Sequence, residues 1–184
     1  MKSSTSFPRR RESRAAVIAL LLIPAPALAQ HYTEWRAAYM QCGKAQVRAL
    51  AECYENTALC VSETLTFVRN GRRAVVGLHQ HYDTYELDDK LKVKALDYHA
   101  SSWACVPGKD GGHYLSVVMD ATRDAHCTEC SFVKLYDPGG RLVAASVGFD
   151  ARGRPHDNAE GASLIRRLTA PPAPRAFAAI YKSR

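Results

Sequence analysis

Beyond residue 29 the sequence has no apolar run long enough to cross a bilayer as a helix. The longest run, Ala15–Ile23, is nine residues, whereas a spanning helix needs about 20. That puts a cleaved signal well ahead of a single-helix anchor. Recognisable catalytic motifs are missing too. There is no nucleophile elbow, Walker loop, HExxH helix or calcium loop. Gly108-Lys109-Asp110-Gly111-Gly112 is glycine-rich but precedes a predicted strand, so it is not a phosphate loop. Ser101, Ser102, Ser116 and Ser163 sit in no motif, and Asp88-Asp89 reads as a solvated pair. No catalytic residue, metal ligand set or cofactor is assigned.

The charge excess is also missing once the leader is set aside. The whole chain is formally +7. Lys2, Arg9, Arg10, Arg11 and Arg14, with one acidic residue, hold +4 of that, so residues 30–184 carry only +3. The remaining arginines are scattered along the chain. No basic stripe interleaves with aromatics, so no nucleic-acid footprint is read.

What is present begins with that leader. A basic front precedes Ala15–Ile23, Pro24 and Pro26 break the run, and Ala27-Leu28-Ala29 supplies a small-x-small box. This predicts a signal peptide over 1–29, cleavage between Ala29 and Gln30, and one periplasmic or secreted domain over 30–184. All six cysteines lie in that domain: Cys42, Cys53, Cys60, Cys105, Cys127 and Cys130. An even count in an exported chain points to disulfides. Connectivity does not follow from sequence. Local closure favours Cys53–Cys60 and Cys127–Cys130, with Cys42–Cys105 as the long link.

The predicted fold class is α+β: mostly an antiparallel β meander, with a short N-terminal helix and a short C-terminal helix. The N-terminal helix is placed over 31–40. Residues 44–54 fit both helical and alternating patterns, and their composition favours helix. Asn70-Gly71 between two β-rich runs predicts a hairpin. Residues 83–90 read as a loop, and 95–106 as a strand with Tyr98, Ser102 and Ala104 on one face and Trp103 and Cys105 on the other. Strands follow over 113–121, 131–136 and 141–147, with Asp137-Pro138-Gly139-Gly140 as a turn. Asp157 or Asn158 caps the C-terminal helix through Leu168. A last strand is placed over 177–181.

Two clusters carry chemical alternatives. Cys127-Thr128-Glu129-Cys130 has the spacing of a redox pair. It leads into a strand, however, and Glu129 disfavours a thiolate, so a structural bridge is preferred. With His126 it falls short of the four ligands of structural zinc. His79 and His81 would share a strand face near Asp83 and Glu86, a possible metal site weighed against a solvated polar turn.

The segments Trp103-Ala104-Cys105, Gly112-His113-Tyr114-Leu115, Cys127-Thr128-Glu129-Cys130 and Tyr136-Asp137-Pro138-Gly139-Gly140-Arg141-Leu142 resemble a group of small exported, cysteine-bearing proteobacterial proteins of unknown function. In class the chain is also similar to periplasmic lysozyme inhibitors and to immunity proteins against wall-degrading toxins. The short inhibitory loop motifs of known lysozyme inhibitors have no counterpart here. The absent catalytic motifs together with a rigid, bridged sheet point to a non-catalytic binding protein with a protein partner in the envelope, by analogy an inhibitor or immunity factor against a cell-wall-degrading enzyme. It would present loops such as 107–113 or 122–130. The alternatives are a thiol–disulfide oxidoreductase using Cys127 and Cys130, and a metal-binding protein. Mass spectrometry of exported material should find a chain beginning at Gln30 with no free thiol; a retained leader or six free thiols would overturn the compartment reading.

Overall fold

A computed structural model describes residues 32–78, 81–87, 90–122, 130–152, 154–170 and 178–181. The chain divides into two units, 1–30 and 31–184, and every described residue lies in the second. The predicted signal peptide and the Ala29–Gln30 cleavage site lie outside the described residues.

The first sheet is a four-stranded meander: β1 (Thr33–Cys42), β2 (Ala45–Tyr54), β3 (Cys60–Arg69) and β4 (Arg72–Gly77). Two segments expected as helices are therefore strands, and no N-terminal helix occurs among the described residues. In β2 every second residue from Ala45 to Cys53 is buried, and residues at 3.6-residue spacing could not all face one sheet interior. Cross-strand burial outweighs a helix propensity worth only tenths of a kcal/mol per residue. Gly43 supplies the positive φ (58°) for the two-residue turn in which Cys42 faces Ala45. Asn70 and Gly71, at φ 50° and 73°, form the expected hairpin turn between β3 and β4.

The second sheet has the order β10-β9-β8-β7-β13. Its strands are β7 (Tyr98–Pro107), β8 (His113–Ala121), β9 (Ser131–Tyr136), β10 (Leu142–Ala145) and the two-residue β13 (Ala178–Ala179). Two small hairpins complete the β structure. One pairs β5 (Tyr82–Glu86) with β6 (Lys92–Leu96), and the other pairs β11 (Val147–Phe149) with β12 (Pro155–Asp157). The expected loop over 83–90 thus begins as a strand. Its polar side chains face solvent, while Tyr85 packs with Val93 and Ala95.

The inner faces of the two sheets share one core, with Val47, Leu65 and Phe67 from the first against Trp103, Leu115, Met119, Phe132 and Tyr136 from the second. A β-bulge between Ala100 and Ser102 shifts the phase of β7. Tyr98 and Ala100 face this core before the bulge and Trp103 after it. The uninterrupted alternation read from the sequence would have separated Tyr98 from Trp103. On the far side of the second sheet lies α1 (Ala159–Leu168). Its Leu164, Ile165 and Leu168 pack on Ala104, Val106, Leu135 and Ala144. Asn158 caps it by accepting from Gly161 N–H at 2.9 Å, while Arg166 and Arg167 occupy its last turn.

Two exposed turns use one arrangement. Asp137 Oδ1 accepts from the amides of Gly139 and Arg141, and its Oδ2 accepts from Arg141 Nε. Asp150 repeats this with the amides of Arg152 and Arg154 and the Nε of Arg154.

Cys42–Cys105 joins β1 to β7 across the sheets over 63 residues of chain, and Cys53–Cys60 closes a separation of 7. Loop-closure entropy makes the long bridge worth about 4 kcal/mol and the short one about 2 kcal/mol. Replacing each pair by alanine should lower the urea midpoint more for Cys42/Cys105 than for Cys53/Cys60. The reverse order would show that chain entropy is not what these bridges contribute.

Candidate functional site

The meander presents its outer face to solvent, and side chains alternate so that β1 places Trp35, Ala37, Tyr39 and Gln41 there. Register sets Tyr39 opposite Arg48, Arg48 opposite Thr66, and Thr66 opposite Val75. Trp35 is 62% and Tyr39 71% exposed, values far above what aromatic packing normally leaves. The Arg48 guanidinium lies 5.6 Å from the Tyr39 ring centroid, a cation–π geometry. A shallow groove of about 600 Å³ runs between Tyr39, Gln46, Arg48, Val68 and Arg73. The β3–β4 tip next to it exposes Arg69, Arg72 and Arg73. Lys44, in the β1–β2 turn, lies at the same end of the meander. The basic β3–β4 hairpin tip is thus joined at one end of the sheet by Lys44 and Arg48 from the neighbouring hairpin.

A second polar constellation is interior. Glu63 on β3 and Lys134 on β9 occupy core-facing positions of opposite sheets and are almost fully buried. Glu63 Oε2 accepts from the Ala100 amide at 2.8 Å, next to the bulge. Lys134 Nζ donates to the Leu78 carbonyl at 3.0 Å and lies 5.9 Å from the Phe132 ring centroid. Burial pushes the Glu63 carboxyl up to about 8, against the opposing pull of the Ala100 amide and Lys134. Burial likewise pushes Lys134 down to about 8, opposed by Glu63 and Asp97. Glu63 Oε1, His99 Nδ1 and Tyr181 OH are buried without a hydrogen-bond partner. Neither Glu63 nor Lys134 was singled out by the sequence reading. Alternation in Glu63-Thr64-Leu65-Thr66-Phe67 carried the signal for Glu63, whereas Phe132-Val133-Lys134-Leu135-Tyr136 is apolar on both sides of Lys134.

The expected site residues are placed as follows. Cys53–Cys60 is bridged as local closure favoured, and Cys42–Cys105 forms the expected long link. Cys130 is disulfide-bonded, and Cys127, with His126, lies outside the described residues. His79 also lies outside them. The His81 amide donates to Asp97 Oδ1 at 3.2 Å, and its ring is 6.0 Å from that of Phe149. Asp83 and Glu86 are both exposed on β5, and the odd spacing between them sends them to opposite faces. Among the described residues no group of three potential metal-ligating side chains converges, and no helix is long and apolar enough to cross a membrane. Trp103 is core. The 107–113 loop is tied down: Lys109 bonds to the Arg166 and Leu168 carbonyls of α1, and Asp110 accepts from Gly112 N–H and Tyr114 OH. Residues 123–129 of the other expected loop lie outside the described residues. Comparison of the chain with family models, curated proteins and solved structures finds no match in any of the three.

The raised Glu63 value favours its protonated form on folding. Its stabilising contribution is complete below its ordinary 4.5 and is lost as pH rises through about 8. The lowered Lys134 value acts in the other direction, contributing above its ordinary 10.5 and losing that contribution as pH falls through about 8. Between 4.5 and 8 the Glu63 effect dominates, and stability should fall by on the order of a few kcal/mol. Glu63→Gln keeps an acceptor for the Ala100 amide. It should flatten that fall and leave the variant at least as stable as wild type near pH 8. Urea midpoints across this range decide it, and an unchanged slope in the variant would remove Glu63 from the account.

Proposed function

We propose that residues 30–184 form a non-catalytic binding protein of the cell envelope, exported through its leader. It would act as an inhibitor or immunity factor against a cell-wall-degrading enzyme. One observation carries this reading: the outer face of the meander exposes Trp35 and Tyr39, the latter stacked with Arg48, on a sheet braced by two disulfides. Tryptophan, tyrosine and arginine are the residue types that dominate binding energy at protein interfaces. A rigid sheet pays little ordering entropy when it docks. The rim formed by Lys44, Arg69, Arg72 and Arg73 fits an acidic partner surface and would speed encounter at low salt. The contact surface is thus the first sheet rather than the 107–113 loop, which is held against α1.

The test is direct binding of the exported chain to a panel of purified wall-degrading enzymes, with turbidity of a cell-wall suspension as the inhibition readout. At least one enzyme should be bound and inhibited. The Trp35→Ala/Tyr39→Ala pair should weaken binding by roughly thirtyfold, as expected on losing about 2 kcal/mol of central contact. Arg72→Glu/Arg73→Glu should slow association and reduce its salt dependence. Binding of none of the panel, or equal binding by the aromatic variant, defeats the proposal. Binding to an anionic polysaccharide or nucleic acid instead of an enzyme defeats it as well.

A further inference from the structure

At the end of the sandwich opposite the arginine-rich tip, a pocket of about 470 Å³ opens between β1, the β2–β3 turn and β7. Its polar lining comes from Glu34, Arg36, Asn56, His99, Ser101 and Tyr181. Alanines 58 and 100 and the Cys53–Cys60 bridge supply apolar wall. The pocket is built rather than incidental. The turn is fixed by Tyr54 N–H to the Leu59 carbonyl at 2.8 Å and by Thr57 Oγ1 to the Tyr54 carbonyl at 2.9 Å. Asn56 holds a left-handed φ of 58° in that turn, a conformation that costs a non-glycine residue energy. The β7 bulge presents Ser101, whose carbonyl accepts from Ile180 N–H at 3.0 Å and so brings Tyr181 to the wall.

The chemistry of the wall is specific. Arg36 and Glu34 project from the same strand face, and Arg36 directs Nε and Nη2 onto one oxygen of Glu34. Nη1 and the other carboxylate oxygen are left outside that pairing. Both side chains stay partly open, at 24% and 32% exposure. Behind them Tyr181 OH and His99 Nδ1 are buried without partners, as is Oε1 of the fully buried Glu63. Such atoms are costly to leave buried unless something satisfies them. Burial holds His99 neutral by lowering its value and holds Tyr181 protonated by raising its own. The same effect keeps Glu63 uncharged near neutrality. The only full charges among these groups are therefore one cation and one anion, side by side.

We propose that this pocket binds a zwitterionic ligand of the α-amino-acid type, its carboxylate held by Arg36 and Tyr181 and its ammonium by Glu34. A ligand of net charge would leave one partner of the Glu34–Arg36 pair unbalanced. A neutral polyol would desolvate that pair and return no charge to it. The carboxylate gains charge-assisted bonds from a guanidinium and a hydroxyl. The alanine and disulfide wall accepts an aliphatic side chain.

Calorimetric or NMR titration of the exported chain tests this with leucine, N-acetyl-leucine, leucine amide and glucose. Leucine should bind at millimolar concentration or tighter, and the two blocked forms roughly tenfold more weakly. Arg36→Met should remove leucine binding. Glu34→Gln should bind leucine and N-acetyl-leucine alike. Tyr181→Phe should weaken leucine several-fold without lowering the thermal midpoint, which separates a lost contact from a damaged fold. The proposal is overturned if leucine does not bind at millimolar concentration, if the blocked forms match it, or if glucose binds in its place.

Discussion

The Cys42–Cys105 bond governs the arrangement of the two sheets. It ties the last residue of β1 to β7, so that an edge of the meander is fastened to the second sheet. With that edge fixed, the inner residues of β2 and β3 must meet those of β7, β8 and β9. Phe67 then finds Tyr136, with ring centroids 6.0 Å apart. Tyr98, Phe132 and Phe149 pack edge to face on one another with centroids 5.1 to 5.7 Å apart. The second bridge, Cys53–Cys60, holds the opposite turn and stiffens the wall of the Glu34–Arg36 pocket.

Within that clamped interior, Glu63 and Lys134 are an expense rather than a gain. Removing two ionisable groups from water costs several kcal/mol that mutual attraction seldom repays in full. Each nevertheless bonds a backbone group across the core. β13 covers only Ser102 and Trp103 of β7. The Ala100 amide lies beyond its reach, and Glu63 accepts from it. The Leu78 carbonyl just past β4 finds the Lys134 ammonium. Because one group belongs to each sheet, a slide of one sheet over the other would break both bonds. Side chains that weaken the core on average thus restrict it to one alignment.

Local signals in the sequence located much of the second sheet and the chain's turns. Asn70-Gly71 made its hairpin, residues 113–121 and 131–136 made their strands, and Asn158 capped its helix, because these follow from a few adjacent residues. The first two strands were misread because Ala, Leu, Glu, Lys and Arg favour helix locally, and the deciding burial comes from residues far away in sequence. The bulge at Ser101 inverted the facing of Trp103 through one extra residue that no composition announces. The exposed aromatic face was illegible for the same reason as β1. Until Trp35 and Tyr39 are known to lie on a strand, nothing puts them on one face or sets Tyr39 opposite Arg48. The pocket draws on segments more than a hundred residues apart, so no local motif could mark it. Glu63 was different, since the two-residue period pointed it inward, and Lys134 was the lone polar residue of the apolar run 132–136.

The Asp137 and Asp150 turns each keep their bonding within five residues, from an aspartate to an arginine four positions on. Those exposed ion pairs add little by themselves, whereas the amides gathered by one carboxylate oxygen shape the bend. Such a loop needs nothing from the rest of the molecule to reach its form. It behaves as a prefabricated corner, available before the sheets have met. The strands on either side are therefore drawn together by short-range chemistry, while the pairing of one sheet with the other still waits on Cys42 and Cys105.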